Sequence, residues 1–159
     1  MTEVVYATVD DLLAAARCGL HRMTVTEAVE AISDGARLVD IRPAWQRARE
    51  GEVASSLIIE RNHLEWRLHP ASNARLPQAL LGQRWIVVCS EGYTSSLAAA
   101  SLRSLGIDAT DLIGGVHAWL AAGLPLVAGP TPVEQVAGRT ASVNLGDFGG
   151  PHVEDKSAH

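Results

Sequence analysis

Cys89 is followed by Ser90-Glu91-Gly92-Tyr93-Thr94-Ser95-Ser96 and preceded by the apolar run Trp85-Ile86-Val87-Val88. The run reads as a buried strand, and Leu97 to Leu105 reads as a helix. The thiol therefore stands where a strand stops and a helix is about to start. The first N–H groups of a helix have no internal partner and carry the positive end of its dipole. A sulfur held against them is favoured as thiolate, the nucleophilic form. The competing reading is a buried structural thiol, a common use of free cysteine. The position in the loop favours the nucleophile.

The other side chains of this stretch carry less specific signals. Glu91 is open to three readings: a general acid or base, a docking contact, or a solvated loop acid. Tyr93 is expected to shape the pocket. Ser95 and Ser96 read as helix caps. A cysteine phosphatase or arsenate reductase needs Cys-x5-Arg, so that a guanidinium grips the oxyanion bidentately. The required place is residue 95, which is serine, so that chemistry is excluded. His63 and His69 do not share a helix face, His117 reads as local structure, and no Cys/His cluster has metal-ligand spacing. No metal or cofactor is expected. Gly114-Gly115 lacks the Lys-Ser/Thr of a phosphate loop.

The elements around the thiol follow from periodicity and punctuation. Thr8 and the acids Asp10 and Asp11 open a helix that ends near Cys18, a candidate resolving thiol or simply a small buried residue. This segment is expected to cover an edge or pair with another subunit. Thr24 and Glu27 form a capping box for a helix that stops at Asp34-Gly35. Residues 37–41 and 55–59 read as strands, with a short helix between them opened by Pro43 and broken by Gly51. Asn62 caps a helix closed by Pro70, and a further short helix is expected over 77–81. After the 85–88 strand, the helix over 95–105 places Leu97, Ala98, Ser101, Leu102 and Leu105 on one face. Residues 109–113 form another strand, and a last helix carries Val116, Trp119 and Leu120. Trp45, Trp66, Trp85 and Trp119 read as core or subunit contacts. No internal repeat is found.

Strands alternate with helices, and the strands are nearly continuous apolar runs. That combination implies a parallel sheet covered on both faces. Ligands of such sheets sit at the carboxyl ends of the strands. Here that edge presents Arg42, Glu60, Arg61, the 89–96 loop and Gly114-Gly115. The chain divides into an N-terminal helical extension (1–22), a central domain (23–127) and an extended or disordered tail (128–159), the tail being rich in Gly, Pro and small polar residues.

With 159 residues, 47% of them apolar, the chain suits one domain with a full core. The net charge of −5 argues against nucleic acid as a partner. Of 13 basic residues only Lys156 is a lysine, read as the compositional bias of a GC-rich, bacterial genome. No run of about 18 apolar residues occurs, so no membrane span is expected. The N-terminus lacks the pattern of a signal peptide, and two cysteines are too few for a disulfide framework. A cytoplasmic setting is expected on both grounds.

Three segments together resemble the rhodanese-like domain. Leu38-Val39-Asp40-Ile41-Arg42 is similar to the family's opening Asp-x-Arg strand. Cys89 to Thr94 is similar to its six-residue active loop, with Gly at the fourth place and Thr at the sixth. Gly114-Gly115-Val116-His117-Ala118-Trp119 is similar to its closing Gly-Gly-x-x-x-Trp. Order and spacing agree over about residues 24–127.

The resemblance implies a rhodanese-like α/β fold: a five-stranded parallel sheet with helices on both faces. It implies a sulfurtransferase that moves sulfane sulfur through a persulfide on Cys89, from a small-molecule or protein donor to a thiol or cyanide acceptor. Backbone N–H groups from Ser90 to Ser95 would cradle the persulfide, and the Thr94 hydroxyl would donate to the cysteine. Asp40 and Arg42 are expected to brace the loop as a structural pair. Arg42 and Arg61 are also candidates for meeting a substrate carboxylate. A homodimer is one arrangement left open. The alternative is a non-catalytic interaction or sulfur-relay module that depends on a partner protein.

Departures from the family pattern bear on the donor. Thiosulfate-using members carry cations inside the loop, where this chain has Ser90 and Glu91. At about 5 Å and an effective dielectric near about 20, like charges cost a few kcal/mol. Thiosulfate is therefore not the expected donor. A donor with one carboxylate, or a protein persulfide, fits better.

Overall fold

The computed structural model describes residues 2–138. Strands β1 (Arg37–Asp40), β2 (Leu57–Ile58), β3 (Arg84–Val88) and β4 (Asp108–Asp111) form one parallel sheet in the order β2-β1-β3-β4. Helices α1 (Val9–Cys18), α2 (Val25–Ser33), α3 (Ala44–Glu50), α4 (Leu64–Leu68), α5 (Thr94–Ser104) and α6 (Gly115–Ala121) surround it. Among the described residues the sheet has four strands, not the five implied by the resemblance. Beside β4 a fifth place is filled only by an isolated parallel bridge between Met23 and Leu112. The Met23 N–H donates to Asp111 and its carbonyl accepts from Ile113, after which the chain turns into α2 at the Thr24 cap.

The pleat of β3 builds both halves of the core. Trp85 and Val87 face one side, where they pack with Leu64, Leu68, Ala98 and Leu102 of α4 and α5. Ile86 and Val88 face the other, against Ala28, Ala31, Val116 and Trp119 of α2 and α6. A continuous apolar run is needed because neither face meets water. On α5 the buried stripe is Ser95, Ser96, Ala98, Ala99 and Leu102, so the inward face is rotated from the expected one and Leu105 is exposed. Small residues let α5 approach the sheet, while α1 covers part of its outer side. Trp85 and Trp119 lie in the core; Trp45 and Trp66 are exposed.

One other expectation is corrected. Residues 77–81 form turns rather than a helix, since Pro77 and Gly82 bracket too few residues to nucleate one. Residues 128–138, at the start of the segment expected to be extended or disordered, lie on the domain as a strap with turns at 133–134 and 137–138. Glu134 and Gln135 pair with Ile58, Ala137 pairs with Ser55 and Ser56, and Val127 pairs with Glu52. Residues 139–159 of the expected tail lie outside the described residues.

A buried ion pair fastens the strap. The Glu52 carboxylate accepts from Arg47 Nη1 at 2.6 Å, from the Thr131 hydroxyl at 2.6 Å and from the Thr131 N–H at 3.0 Å. Arg47 also donates to the Thr131 carbonyl. Burial alone would push the Glu52 carboxyl up; the Thr131 donors and Arg47 outweigh it and hold it below the usual range. A carboxylate depressed in the folded state stabilises fully above its unfolded value near about 4.3, and that contribution is lost as pH falls through the folded value. Glu52→Gln should cost about 3–5 kcal/mol at neutral pH, because Arg47 stays buried and charged. It should also flatten the acid limb of stability. Urea unfolding across pH checks both, and equal acid limbs in the two proteins would refute the assignment.

Candidate active site

Cys89 is the first residue past β3, and the same pleat that buries Trp85 and Val87 turns it toward α5, where it is 4% exposed. Its Sγ accepts the Gly92 N–H at 3.2 Å. Gly92 has φ +89°. A β-carbon there would stand 2.8 Å from the Gly114 nitrogen and 3.2 Å from the Leu112 carbonyl oxygen, so only glycine fits. The Cys89 carbonyl accepts from the Val116 N–H and the Ser90 carbonyl from the His117 N–H. A β-carbon on Gly115 would collide with the Cys89 carbonyl. The paired glycines thus seat the loop on the start of α6.

Glu50, at the end of α3, gathers the charges on one side of the loop. It accepts from the Ser90 hydroxyl at 2.6 Å and from Arg42 Nη1 at 2.9 Å, and its other oxygen lies 3.3 Å from His117 Nε2. Burial would raise the Glu50 carboxyl, but the donors Ser90, Arg42 and His117 hold it below the usual range. The other ring nitrogen of His117 is 3.9 Å from Glu91.

Arg42 is fully enclosed. It donates to both oxygens of Asp40, at 3.0 and 2.6 Å, to Glu50 and to the Gly51 carbonyl. Burial favours losing its proton, yet Asp40 and Glu50 outweigh that and raise its pKa further. Asp40 and Arg42 pair with each other inside the protein, and the Arg42 donors point away from solvent, which does not fit the expected contact with a substrate carboxylate. Arg61 sits at the active edge, but its Nη1 donates to both oxygens of Glu65, at 3.0 Å to each.

A second charge cluster lies behind the loop. Asp111, fully buried at the end of β4, accepts from Ser95 and Ser96 hydroxyls at 2.8 Å each and from Arg22 Nε and Nη2 at 2.9 and 3.1 Å. Ser95 and Ser96 therefore hold Asp111 and do not cap α5. Arg22 Nη2 and Arg17 Nη2 both donate to the Gly92 carbonyl, at 2.9 and 2.7 Å, and Arg17 Nε donates to Ser96. The Arg17 guanidinium lies over the Tyr93 ring, 5.8 Å from its centroid.

The loop residues named from sequence thus share one site, with distinct placements. Ser90 and Ser95 are tied to carboxylates, Gly92 meets the sulfur, and Glu91, Tyr93 and Thr94 are exposed. The Thr94 hydroxyl makes no bond to Cys89; among the described residues, the donor to the sulfur is Gly92 alone. Sequence reasoning missed Glu50, Asp111, Arg17 and Arg22. Asp111 did leave a signal, an acid inside the apolar run Ala109 to Ile113. The two arginines left none, being 75 and 70 residues from the glycine they hold.

The family model for the rhodanese-like domain matches residues 24–122. The chain belongs to this family. The adenylyltransferase and sulfurtransferase MOCS3-2 of Zea mays is 36% identical over 101 residues, which are 62% of this chain and 20% of the maize protein. The rhodanese-like chain thus spans about a fifth of that relative's length. Among solved structures, a protein of unknown function from Rhodopseudomonas palustris, described as a possible tyrosine phosphatase, superposes with a TM-score of 0.70 at 25% identity, covering 79% of this chain and 98% of that one. A thiosulfate sulfurtransferase from Pseudomonas aeruginosa superposes with a TM-score of 0.56 at 21% identity, over 80% of this chain and 25% of that one. In this rhodanese-like domain residue 95, where a phosphatase would need arginine, is a buried serine bonded to Asp111.

The fit around Gly92 makes it a sensitive backbone position of the active loop. Gly92→Ala should cost at least about 1–2 kcal/mol from the left-handed backbone alone, before the contact with Gly114 is relieved. Urea denaturation measures this; an unchanged midpoint would show that the loop is not held as described.

Proposed function

We propose that this chain is a sulfurtransferase that carries sulfane sulfur as a persulfide on Cys89. The observation that supports it most is the Cys89 sulfur at the end of β3, facing the start of α5 and accepting the Gly92 N–H. In the first half-reaction the Cys89 thiolate attacks the terminal sulfur of a donor R–S–SH. A new S–S bond forms on Cys89, the donor S–S bond breaks, and R–S⁻ leaves with the electron pair. In the second, an acceptor thiolate attacks the terminal sulfur of the Cys89 persulfide, and Cys89 leaves as thiolate. Cyanide attacks in the same way and leaves as thiocyanate. The sequence likeness to the maize adenylyltransferase and sulfurtransferase supports the same reading.

The donor is better sought among protein persulfides or donors with a single carboxylate than in thiosulfate. Glu91 lies on the loop and Glu50 touches it from the end of α3, and the cations that reach the loop are bound to its backbone or to carboxylates. A dianion would meet Glu91, while the nearby Arg17 and Arg22 guanidiniums are turned to the Gly92 carbonyl. Because Glu91 is 60% exposed, solvent screens part of that repulsion.

A donor panel tests the reading. Mass spectrometry should show one added sulfur atom on Cys89 with at least one donor, and Cys89→Ser should abolish both the adduct and thiocyanate release. No adduct with any donor would refute the enzyme. A partner protein retained by Cys89→Ser would then favour the interaction module. For the donor, Glu91→Lys should raise thiosulfate turnover by up to about tenfold, the screened value of one reversed charge; unchanged or slower turnover would remove Glu91 as the cause.

A further inference from the structure

The geometry points to Arg17 and Arg22, from the N-terminal segment before the family-matching residues, as positioning residues that set the active loop. The inference rests on the persulfide reading for its catalytic meaning. Its structural part stands independently.

Gly92 is the residue on which the loop turns. It must lack a side chain to pass between Gly114 and Leu112, and for that reason its backbone is the least restricted in the loop. Yet its N–H has to aim at the Cys89 sulfur. The restriction a side chain would supply comes instead from outside the loop. Two guanidiniums converge on the Gly92 carbonyl, at 2.7 Å from Arg17 and 2.9 Å from Arg22. Both bonds are charge-assisted and short, the strong class of hydrogen bond. They fix the peptide plane after Gly92 and so restrict the φ and ψ that together relate it to the plane carrying the Gly92 N–H.

The two arginines are anchored differently. Arg22 is neutralised by the buried Asp111, which also holds Ser95 and Ser96 at the start of α5. Arg17 has no carboxylate partner among the described residues. Its other contacts are the Ser96 hydroxyl and the face of Tyr93. It therefore brings an uncompensated positive charge to a loop whose own charged side chain is Glu91. The α1 helix, packed along α5, is what delivers it. On this account the N-terminal extension completes the site, in addition to covering α5.

Arg17 is the informative residue to change, because Arg22→Ala would leave Asp111 buried and unpaired. Arg17→Ala should speed amide hydrogen exchange at residues 90–94 while the β3 amides keep wild-type protection. It should lower kcat for persulfide turnover on the order of tenfold, as for loss of one hydrogen bond to a charged group, with KM for the donor little changed. Arg17→Lys, which keeps the charge and one donor, should fall between. Millimolar guanidinium ion should restore part of the Arg17→Ala rate, and equal sodium chloride should not. Unchanged exchange at 90–94, unchanged turnover, or exchange raised equally across the sheet without guanidinium rescue would each overturn the clamp. If the wild-type protein takes up sulfur from no donor, the persulfide reading fails separately, and loop exchange in Arg17→Ala still decides the clamp.

Discussion

Asp111 places a carboxylate in a fully buried position, and much of the site is arranged around satisfying it. Removing a carboxylate from solvent is costly unless paired charge and hydrogen bonds replace the lost hydration. Here one guanidinium and two hydroxyls do so, and they come from two parts of the chain: Arg22 before α2, and Ser95 and Ser96 at the start of α5. Because each donor is short of alternatives in the interior, the carboxylate fixes the end of β4, the first turn of α5 and the N-terminal segment relative to one another. The loop from Cys89 to Tyr93 has both its ends set by this node and by β3.

Asp40 and Arg42 do the corresponding work on the other side. Arg42 is spent entirely on Asp40, Glu50 and a carbonyl, so its charge shapes the site through Glu50 rather than by meeting a ligand. Glu50 passes that order to Ser90 and to His117. The thiol thus lies between two carboxylate-centred networks that do not share a residue. In each, the buried cation and anion are held by more than one hydrogen bond, which is the condition under which such pairs persist in an apolar interior.

The fold was legible in the sequence where one local rule decided it. The run 85–88 is too apolar to be half-exposed, Thr24 and Glu27 cap α2 as read, and the strand-loop-helix around Cys89 follows from Gly92 and the helical period after it. The family's three motifs located the loop and the Asp40–Arg42 pair. Legibility ended where long-range partners took over. Ser95 and Ser96 have the chemistry of caps, but a buried acid 15 or 16 residues away competes for their hydroxyls and wins. Residues 128–138 have no local signature because they lack an apolar rhythm; the backbone pairing that holds them belongs to Ile58, Ser56 and Ser55. Glu52 itself reads as a surface acid until Thr131 and Arg47 are seen around it.

That strap also alters what the sheet offers to other molecules. A β-sheet edge presents unpaired N–H and carbonyl groups and invites another strand. At β2 the outward groups of Ile58 are already occupied by Glu134 and Gln135, and beside β4 Met23 occupies the groups of Asp111 and Ile113. There the Ile58 N–H and carbonyl, the Asp111 carbonyl and the Ile113 N–H are not open to a visiting strand. Around the active loop the exposed side chains include Glu91, Tyr93 and His117.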